Sequence, residues 1–497
     1  MGLNICCIFQ SLATSNLKTK LATHIFAAPS WDRIAYNNLE SVFETLRGTP
    51  DGCPHFDLCD DCSELEELDR EIAETLANLS KKRRVLTARI NQNHDPYIHR
   101  LPSELASQVF LFYKDINCPP TQKTANPIPY SDSLRSLLQV ASVCKTWREI
   151  TFATPELWKS INIFAYAIPI PMHVELAEQW LARAGVLPLS ITVYCNKSSF
   201  VDDEVNPDDL SPLFEVLRSH NAQWRELTLY LPMDFYPCFQ GDLTGAPILE
   251  TFRLLPAEEH IIHQSHQLLL PNTPQLVHLE ITSPRLVDIM PQWDGLTHFE
   301  AEAILVEEIL YLLQKAPLLV LCKAGGVNDL PAFGIPNEPI THPSLKELHF
   351  APYFDLVAIR TLFDKMVLPA LEHFVYIAPI PLNFPMVALC SLFNRSRSPL
   401  TEFTFIGYEE PGQFNDNQVT ELLEAVPTIT HLQIKESPSS LDDELPLSEY
   451  LIQWTLERNF TVEFKNPPME VGLQPELQIR TISIRKRSDN TQNIEKG

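Results

Sequence analysis

The sequence predicts a chain of mixed α+β and α/β class, in which a short coiled-coil helix and a small all-helical module precede an irregular solenoid of alternating strands and helices. Three observations support this prediction. Leucine and isoleucine recur at seven-residue intervals from Leu65 to Leu86, and apolar residues with helical spacing follow between Leu101 and Trp158. A three-residue apolar pattern then repeats as far as Ile434.

Composition and charge exclude several classes of function. The chain has 497 residues, and its 63 acidic and 38 basic residues give a formal net charge of −25. Because such a charge repels phosphate backbones and anionic lipid, we expect no nucleic-acid partner and no membrane partner. The apolar runs are also shorter than the ~18 residues of a membrane span. The eleven cysteines lack the spacing of a disulfide framework, so a soluble protein of the cytoplasm, the nucleus or both is expected.

The N-terminal segment, residues 1–62, shows no sustained periodicity and is predicted to form a poorly ordered extension. Near its end, Cys53, His55, Cys59 and Cys62 form a C-x-H-x3-C-x2-C arrangement of ligand types that Zn²⁺ prefers. Aspartates crowd this segment, and the spacing differs from the usual pair of C-x2-C knuckles. A solvated acidic loop is the favoured interpretation and zinc the alternative, so no cofactor is expected.

Residues 63–93 are predicted to form one helix. Leu65, Ile72, Leu79 and Leu86 stand at heptad spacing. Acidic residues fill the first turns and basic residues the later ones, which suits the helix dipole. Four heptads can pair in a coiled coil, so self-association through residues 63–92 is one interpretation, and packing of the same stripe on a neighbouring domain is the other.

The next segment carries the most specific motifs of the chain. Leu101-Pro102 starts a helical pattern, with Leu105 and Val109 at later turns. After an insertion at about residues 115–131, a second pattern runs to Ile150 and a Pro-x-Leu-Trp sequence ends at Trp158. Two or three short helices are predicted, with more apolar surface than so small a unit can bury. Surplus apolar surface is typical of a module that binds a partner.

The motif order LP-x-E-L-x3-VF, V-x2-VC-K-x-WR and P-x-LW resembles the F-box, in particular the F-box-like domains of fungal proteins, over residues 99–160. The insertion is longer than the usual connection, and an ordinary helical hairpin with a buried tryptophan is the alternative. The resemblance implies binding to the small adaptor subunit of an SCF-type cullin–RING ubiquitin ligase. The resemblance also implies which residues take part in this binding, as a mixed core and partner face. They are Leu101, Pro102, Leu105, Val109, Phe110, Leu138, Val140, Val143, Cys144 and Trp147.

Residues 161–464 are predicted to form a leucine-rich-repeat-like solenoid. Apolar residues recur at offsets 0, +3 and +5, with one strand and one helix expected per repeat. The alternative is a non-repetitive α/β domain, and residues 465–497 are expected to form a flexible tail. The first residues of the copies, including a degenerate copy at Leu319, are Trp158, Trp224, Leu249, Leu276, Leu296, Leu319, Leu345, Leu371, Leu400 and Ile429.

A substrate surface is predicted on the solvent side of the repeat strands. If offsets +3 and +5 point into the core, strand alternation turns offsets +2 and +4 toward solvent. Imidazole and carboxylate dominate there, which favours a basic or hydrogen-bonding ligand whose affinity falls as histidine protonates near pH ~6.5. An ordinary solvated sheet is the alternative. The candidate residues are Glu226, Arg253, His278, Glu280, His298, Glu300, Glu347, His349, His373 and His431.

The sequence contains no G-x-S-x-G, P-loop, dinucleotide or H-E-x-x-H motif, so a non-enzyme is expected. The parts together predict a substrate-recognition adaptor in the ubiquitin conjugation pathway, whose partners are the small adaptor subunit, through it a cullin, and an unknown protein substrate. A leucine-rich-repeat scaffold or receptor without ligase coupling is the first alternative. An enzyme with an unrecognised site is the second.

Overall fold

Strands that follow one another along the chain lie side by side in one large, mostly parallel sheet. The protein divides into two units, residues 1–162 with 178–187, and residues 163–177 with 188–497. In this computed structural model the described residues are 60–94, 101–117, 132–165, 170–195, 207–232, 235–239, 245–255, 272–282, 286–289, 292–327, 338–352, 356–378, 384–407, 415–436, 449–465 and 480–486.

The helices precede and separate the strands. They are α1 (Asp60–His94), α2 (Ser103–Asn117), α3 (Asp132–Val143), α4 (Lys145–Phe152), α5 (Ile170–Ala184), α6 (Pro207–Arg218), α7 (Tyr236–Phe239), α8 (Leu286–Ile289), α9 (Val306–Lys315), α10 (Leu356–Lys365), α11 (Met386–Ser396), α12 (Asp416–Ala425) and α13 (Glu449–Glu457). In the described part of the chain, no helix combines the length and the apolar content that crossing a membrane requires.

The strands are short and evenly distributed. They are β1 (Ser160–Phe164), β2 (Leu189–Tyr194), β3 (Trp224–Tyr230), β4 (Thr251–Leu255), β5 (His278–Thr282), β6 (His298–Glu302), β7 (Leu321–Val327), β8 (Ile340–Thr341), β9 (Glu347–Pro352), β10 (Met366–Val367), β11 (His373–Ala378), β12 (Glu402–Gly407), β13 (His431–Glu436), β14 (Phe460–Lys465) and β15 (Arg480–Lys486).

The first unit contains α1 to α4. Helix α1 begins at Asp60 and ends at His94, slightly longer than the predicted 63–93. Helix α2 continues to Asn117, so the first residues of the predicted insertion at 115–131 are helical, and residues 118–131 lie outside the described residues. Of the predicted extension at 1–62, residues 1–59 lie outside them too, and residues 60–62 begin α1.

The strand order of the main sheet is β1-β2-β3-β4-β5-β6-β7-β9-β11-β12-β13-β15-β14. Pairing is parallel from β2 to β13, and β15 pairs antiparallel with both β13 and β14. Strands β8 and β10 form a separate parallel pair. Because parallel neighbours need a crossover, each connection returns the chain to the same edge, where the next strand begins.

Every apolar residue predicted at offsets 0, +3 and +5 is buried, which confirms this part of the sequence analysis. Equivalent residues of neighbouring strands also stack. The ring centroids of Phe374 and Phe403, both at offset +3, are 5.6 Å apart, and those of Tyr376 and Phe405, both at offset +5, are 6.2 Å apart. The helices predicted between later copies are present as α9 to α12.

Five strands were not predicted, namely β2, β8, β10, β14 and β15. Strand β2 has the alternation of a repeat strand, but Pro188 stands where the pattern needs an apolar residue at offset 0. Strand β15 lies inside the predicted tail of 465–497, so that boundary was wrong for residues 480–486. Ile482 and Ile484 are buried there, and β15 covers the edge of β13, whose backbone groups would otherwise have no partner strand.

The buried imidazole of His342 joins two turns of the second unit. Its Nε2 lies 2.9 Å from the carbonyl oxygen of Ala316, and its Nδ1 accepts from the backbone N–H of Leu345 at 3.1 Å. An imidazole that donates from one nitrogen and accepts at the other is neutral. Burial lowers the pKa of His342, which favours this neutral form.

We predict that His342→Leu lowers the free energy of unfolding by about 1–3 kcal/mol at pH 7.5, because two buried backbone groups lose their partner. The pKa of His342 is lower in the folded chain, so its stabilisation is complete above the unfolded value of ~6.5 and is lost as the pH falls below it. Urea unfolding at pH 7.5 and 5.5 should show a smaller difference between variant and wild type at the lower pH. An equal difference at both pH values would contradict this role.

Candidate functional site

Aromatic and aliphatic side chains form the core of the helical module. Phe110 on α2 and Trp147 on α4 have ring centroids 4.9 Å apart, and both are buried, as is Val140 on α3. The sequence analysis assigned these three residues to a mixed core and partner face. Because their side chains are enclosed within the module, they belong to its core and do not contribute directly to a partner surface.

Polar contacts set the ends of these helices. The thiol of Cys144, the N-cap of α4, accepts from the backbone N–H of Trp147 at 3.4 Å. The guanidinium Nε of Arg148 donates to the carbonyl oxygen of Ala141 at 3.2 Å. These contacts hold the junction of α3 and α4, so Cys144 has a structural role in the V-x2-VC-K-x-WR motif.

The P-x-LW motif closes the module. Trp158 is buried, its Nε1–H donates to the carbonyl oxygen of Thr151 at 2.8 Å, and its ring centroid lies 4.8 Å from that of Trp180. The guanidinium carbon of Arg183 lies 4.6 Å from the ring centroid of Phe152 and 5.0 Å from that of Trp158. Burial lowers the pKa of Arg183, and cation–π contact compensates part of its lost hydration.

A row of apolar side chains remains exposed along α2 and the residues just before it. We call it the docking stripe, and it consists of Leu101, Pro102, Leu105, Val109 and Phe112. Leu105 is 52% exposed and Phe112 67% exposed, whereas Val109 between them is half-buried. Residues four and seven positions apart share one face of a helix, so Leu105, Val109 and Phe112 form a continuous surface. Apolar surface of this kind is typical of a protein-binding site.

The sequence analysis found part of this surface. Leu101, Pro102, Leu105 and Val109 were predicted, and the structure brings them together. Phe112 was missed, although its position seven residues after Leu105 was a sufficient signal. The remaining predicted residues, Leu138, Val143 and Cys144, are half-buried.

Comparison with known protein families agrees with this geometry. Residues 98–164 match the F-box-like family, a range that covers α2 to α4, the P-x-LW motif and β1. The module is therefore an F-box-like domain, a class that typically binds the small adaptor subunit of SCF-type ligases and through it a cullin. No curated protein is similar enough to the chain to match it.

The predicted substrate surface forms two regular rows across the sheet, which we call the polar face. The offset +2 residues are in register from strand to strand, and so are the offset +4 residues. The first row is Glu226, Thr251, His278, His298, Leu321, Glu347, His373, Glu402 and His431, and the second is Thr228, Arg253, Glu280, Glu300, Lys323, His349, Val375, Thr404 and Gln433.

Neighbouring strands neutralise much of the charge on this face. Arg253 Nε lies 3.0 Å from Glu280 Oε2, and Lys323 Nζ lies 3.1 Å from Glu300 Oε1. The carboxylate of Glu300 is also 3.9 Å from His278 Nε2. The central carboxylates are thus paired laterally, which the sequence alone did not predict.

Other imidazoles of the polar face also contact carboxylates or other rings, within a strand or between strands. His349 Nε2 lies 2.6 Å from Glu347 Oε1, and His373 Nδ1 lies 3.3 Å from Glu402 Oε2. The rings of His278 and His298 stack with centroids 6.0 Å apart. His431 accepts from Arg485 Nε at 3.3 Å, and burial followed by the Arg485 charge lowers the pKa of His431.

One carboxylate beside the second row is unusual. Glu302 on β6 has a raised pKa, chiefly because surrounding protein atoms desolvate its carboxylate although the residue as a whole is exposed, with smaller contributions from the negative charges of Glu280 and Glu300. Gly325 stands opposite it on β7, and a Cβ there would overlap the Glu302 carboxylate. A glycine at this position therefore leaves the space in which the carboxylate lies.

Metal ligation has no support in the described residues, which contain no group of three or more histidine, cysteine or acidic side chains arranged to hold an ion. Of the zinc candidates, Cys53, His55 and Cys59 lie outside the described residues, and Cys62 lies in the first turn of α1.

The division between core and docking stripe predicts that truncation destabilises the module strongly at a core position and very little at a position in the docking stripe. Phe110→Ala should lower the free energy of unfolding of the module by about 3–5 kcal/mol, because it leaves a cavity beside Trp147. Leu105→Ala should change it by less than about 0.5 kcal/mol, because the side chain is half exposed. Urea unfolding of the full chain measures both, and a large loss for Leu105→Ala would place this residue in the core.

Proposed function

We propose that the protein is a substrate-recognition adaptor of an SCF-type cullin–RING ubiquitin ligase, with an F-box-like domain of the fungal type. The docking stripe binds the small adaptor subunit, and the repeat region binds a protein substrate. The protein itself is not an enzyme, because the cysteine that carries ubiquitin belongs to a partner. It raises the local concentration of its substrate near that cysteine, in the cytoplasm, the nucleus or both.

The observation that carries this proposal is the docking stripe within the F-box-like match at residues 98–164. An isolated helical module has no structural need to keep Leu105 and Phe112 partly in water, because full burial of such a side chain is worth about 1.5–3 kcal/mol and these two forgo part of it. A partner subunit that covers the stripe recovers this free energy.

The repeat region supports the substrate-binding half of the proposal. Consecutive parallel strands with buried offsets 0, +3 and +5 suit an irregular leucine-rich-repeat-like solenoid. Solenoids of this kind use extended surfaces for binding, and the polar face is such a surface. Its two cationic side chains, Arg253 and Lys323, are already paired with Glu280 and Glu300, so the substrate is recognised mainly by hydrogen bonds to imidazole and carboxylate edges.

Docking is tested with two variants that each place one new carboxylate on α2. Leu105→Asp should weaken binding of the intact chain to the purified small adaptor subunit by at least about tenfold, because it puts a charge into the apolar contact. Gln108→Asp is the matched control, since its side chain is exposed on the same helix outside the docking stripe. Titration calorimetry measures both affinities.

Equal affinity for Leu105→Asp and Gln108→Asp would remove the ligase assignment. The chain would then be a leucine-rich-repeat scaffold or receptor without ligase coupling, and a cullin should be absent from the purified protein.

The polar face is tested by reversing three carboxylates together. Glu280→Lys, Glu300→Lys and Glu347→Lys should remove bound substrate, because the reversal also breaks the pairs with Arg253, Lys323 and His349. The measurement is quantitative co-purification with the intact chain in cells whose proteasome is inhibited.

The matched control reverses Glu215, Glu421 and Glu457, which are exposed on helices and change the net charge equally. Binding of the small adaptor subunit should be unchanged in both triple variants. Unaltered substrate recovery in the first variant would move the site to the helices or the loops.

A further inference from the structure

Helix α1 carries an apolar stripe that the described part of the chain leaves exposed. At 35 residues it is ~52 Å long. Five of its apolar residues, which we call the heptad stripe, are each between 42% and 56% exposed: Ile72, Leu76, Leu79, Leu86 and Ile90. They are separated by four, three, seven and four residues, which fits the alternating spacing of a coiled-coil seam with Arg83 at the position between Leu79 and Leu86. A seam this long and this exposed needs a partner helix.

Charge is distributed unequally along the same helix. Residues 60–74 contain eight acidic residues and a single arginine, whereas residues 75–94 contain five lysines and arginines and no acidic residue. Arg70 pairs with Glu67 and, at 3.8 Å, with Glu74, so the basic residue of the acidic half is already used locally. The helix therefore presents a negative half and a positive half beside an apolar seam that Arg83 interrupts between Leu79 and Leu86.

Two charged residues occupy seam positions in line with the heptad stripe. Asp69 and Arg83 lie seven residues before and seven residues after Leu76, which places them in the same column as Leu76 and Ile90. In a parallel pair of identical helices, Asp69 would face Asp69 and Arg83 would face Arg83. Like charges in adjacent positions of a seam disfavour that arrangement.

We propose that α1 pairs with α1 of a second copy of this chain in antiparallel orientation, with Leu76 of one copy against Leu79 of the other. This register places the negative half of each helix along the positive half of the other. Asp69 then lies within one turn of Arg83 from the second copy, and the contact occurs twice. Charge complementarity thus favours a second copy of α1 as the partner of the heptad stripe, because the negative half of each helix matches the positive half of the other.

The contact differs from the docking stripe in composition and place. It uses residues outside the F-box-like match at 98–164, so dimerisation and adaptor binding are separate properties of the chain. The dimer places two F-box-like domains and two repeat regions in one particle, which increases avidity for a substrate with two sites.

The first test is the oligomeric state of the full chain by sedimentation equilibrium. The wild type should be a dimer whose dissociation constant rises with added salt, because the paired halves are exposed to screening. Leu79→Asp should raise the dissociation constant at least about a hundredfold, since it puts a charge into the seam of both copies. Asn78→Asp, the neighbouring position outside the heptad stripe, is the matched control and should remain a dimer.

The second test distinguishes the two orientations. Asp69→Arg should weaken an antiparallel dimer about tenfold, because the new arginine meets Arg83 of the second copy. The double variant Asp69→Arg, Arg83→Asp should restore wild-type affinity, which also shows that the single variant folds. In a parallel dimer, Asp69→Arg would replace two facing aspartates with two facing arginines. The affinity would then be unchanged, because like charges face each other in both cases.

A chain that sediments as a monomer at all concentrations would overturn the proposal. So would a dimer that tolerates Leu79→Asp, or a failure of the double variant to restore the dimer lost in Asp69→Arg.

Discussion

The parallel register of the main sheet is the constraint on which the rest of the second unit depends. Each strand enters the sheet beside its predecessor, so the same offsets recur in the same place from β3 to β13. Offsets +3 and +5 are buried and stack into columns, as Tyr376 does on Phe405. Because side chains alternate along a strand, a slip of one residue would expose these columns and bury the polar rows. The hydrophobic pattern therefore specifies both the core and the polar face.

The polar face shows why the register matters for charge as well. Arg253 meets Glu280, and Lys323 meets Glu300, only because their strands align at the same offset. At the partial exposure of these groups, each pair contributes little stability by itself. Their alignment instead places a cation beside two of the carboxylates on the sheet of a chain whose net charge is −25. An extended acidic surface becomes one of paired donors and acceptors, suited to hydrogen bonding with a polypeptide.

Periodic features of this fold could be predicted from the sequence, and non-periodic ones could not. The buried offsets, the two polar rows and the bounds of α1 follow from simple spacing, which depends on local geometry. Strand β2 lacks the apolar residue at offset 0, and β15 follows α13 and β14, after the last repeat copy. Neither strand could therefore be predicted from the repeat pattern. In the F-box-like domain, the motif identified the residues but not their orientation. The structure was needed to separate buried Phe110 and Trp147 from exposed Leu105.

In the adaptor that we propose, the docking stripe and the polar face bind by different physical means, which makes the two contacts separable. The docking stripe gains free energy by removing apolar surface from water, a contribution that depends little on salt. On the polar face, hydrogen-bonding groups already have partners within the protein. A ligand therefore binds only if it replaces those hydrogen bonds with equivalent ones, and other ligands are rejected. An adaptor needs this combination. The small adaptor subunit must bind through a surface whose affinity depends little on salt. The substrate must be selected by a surface that binds only ligands with matching hydrogen-bonding groups.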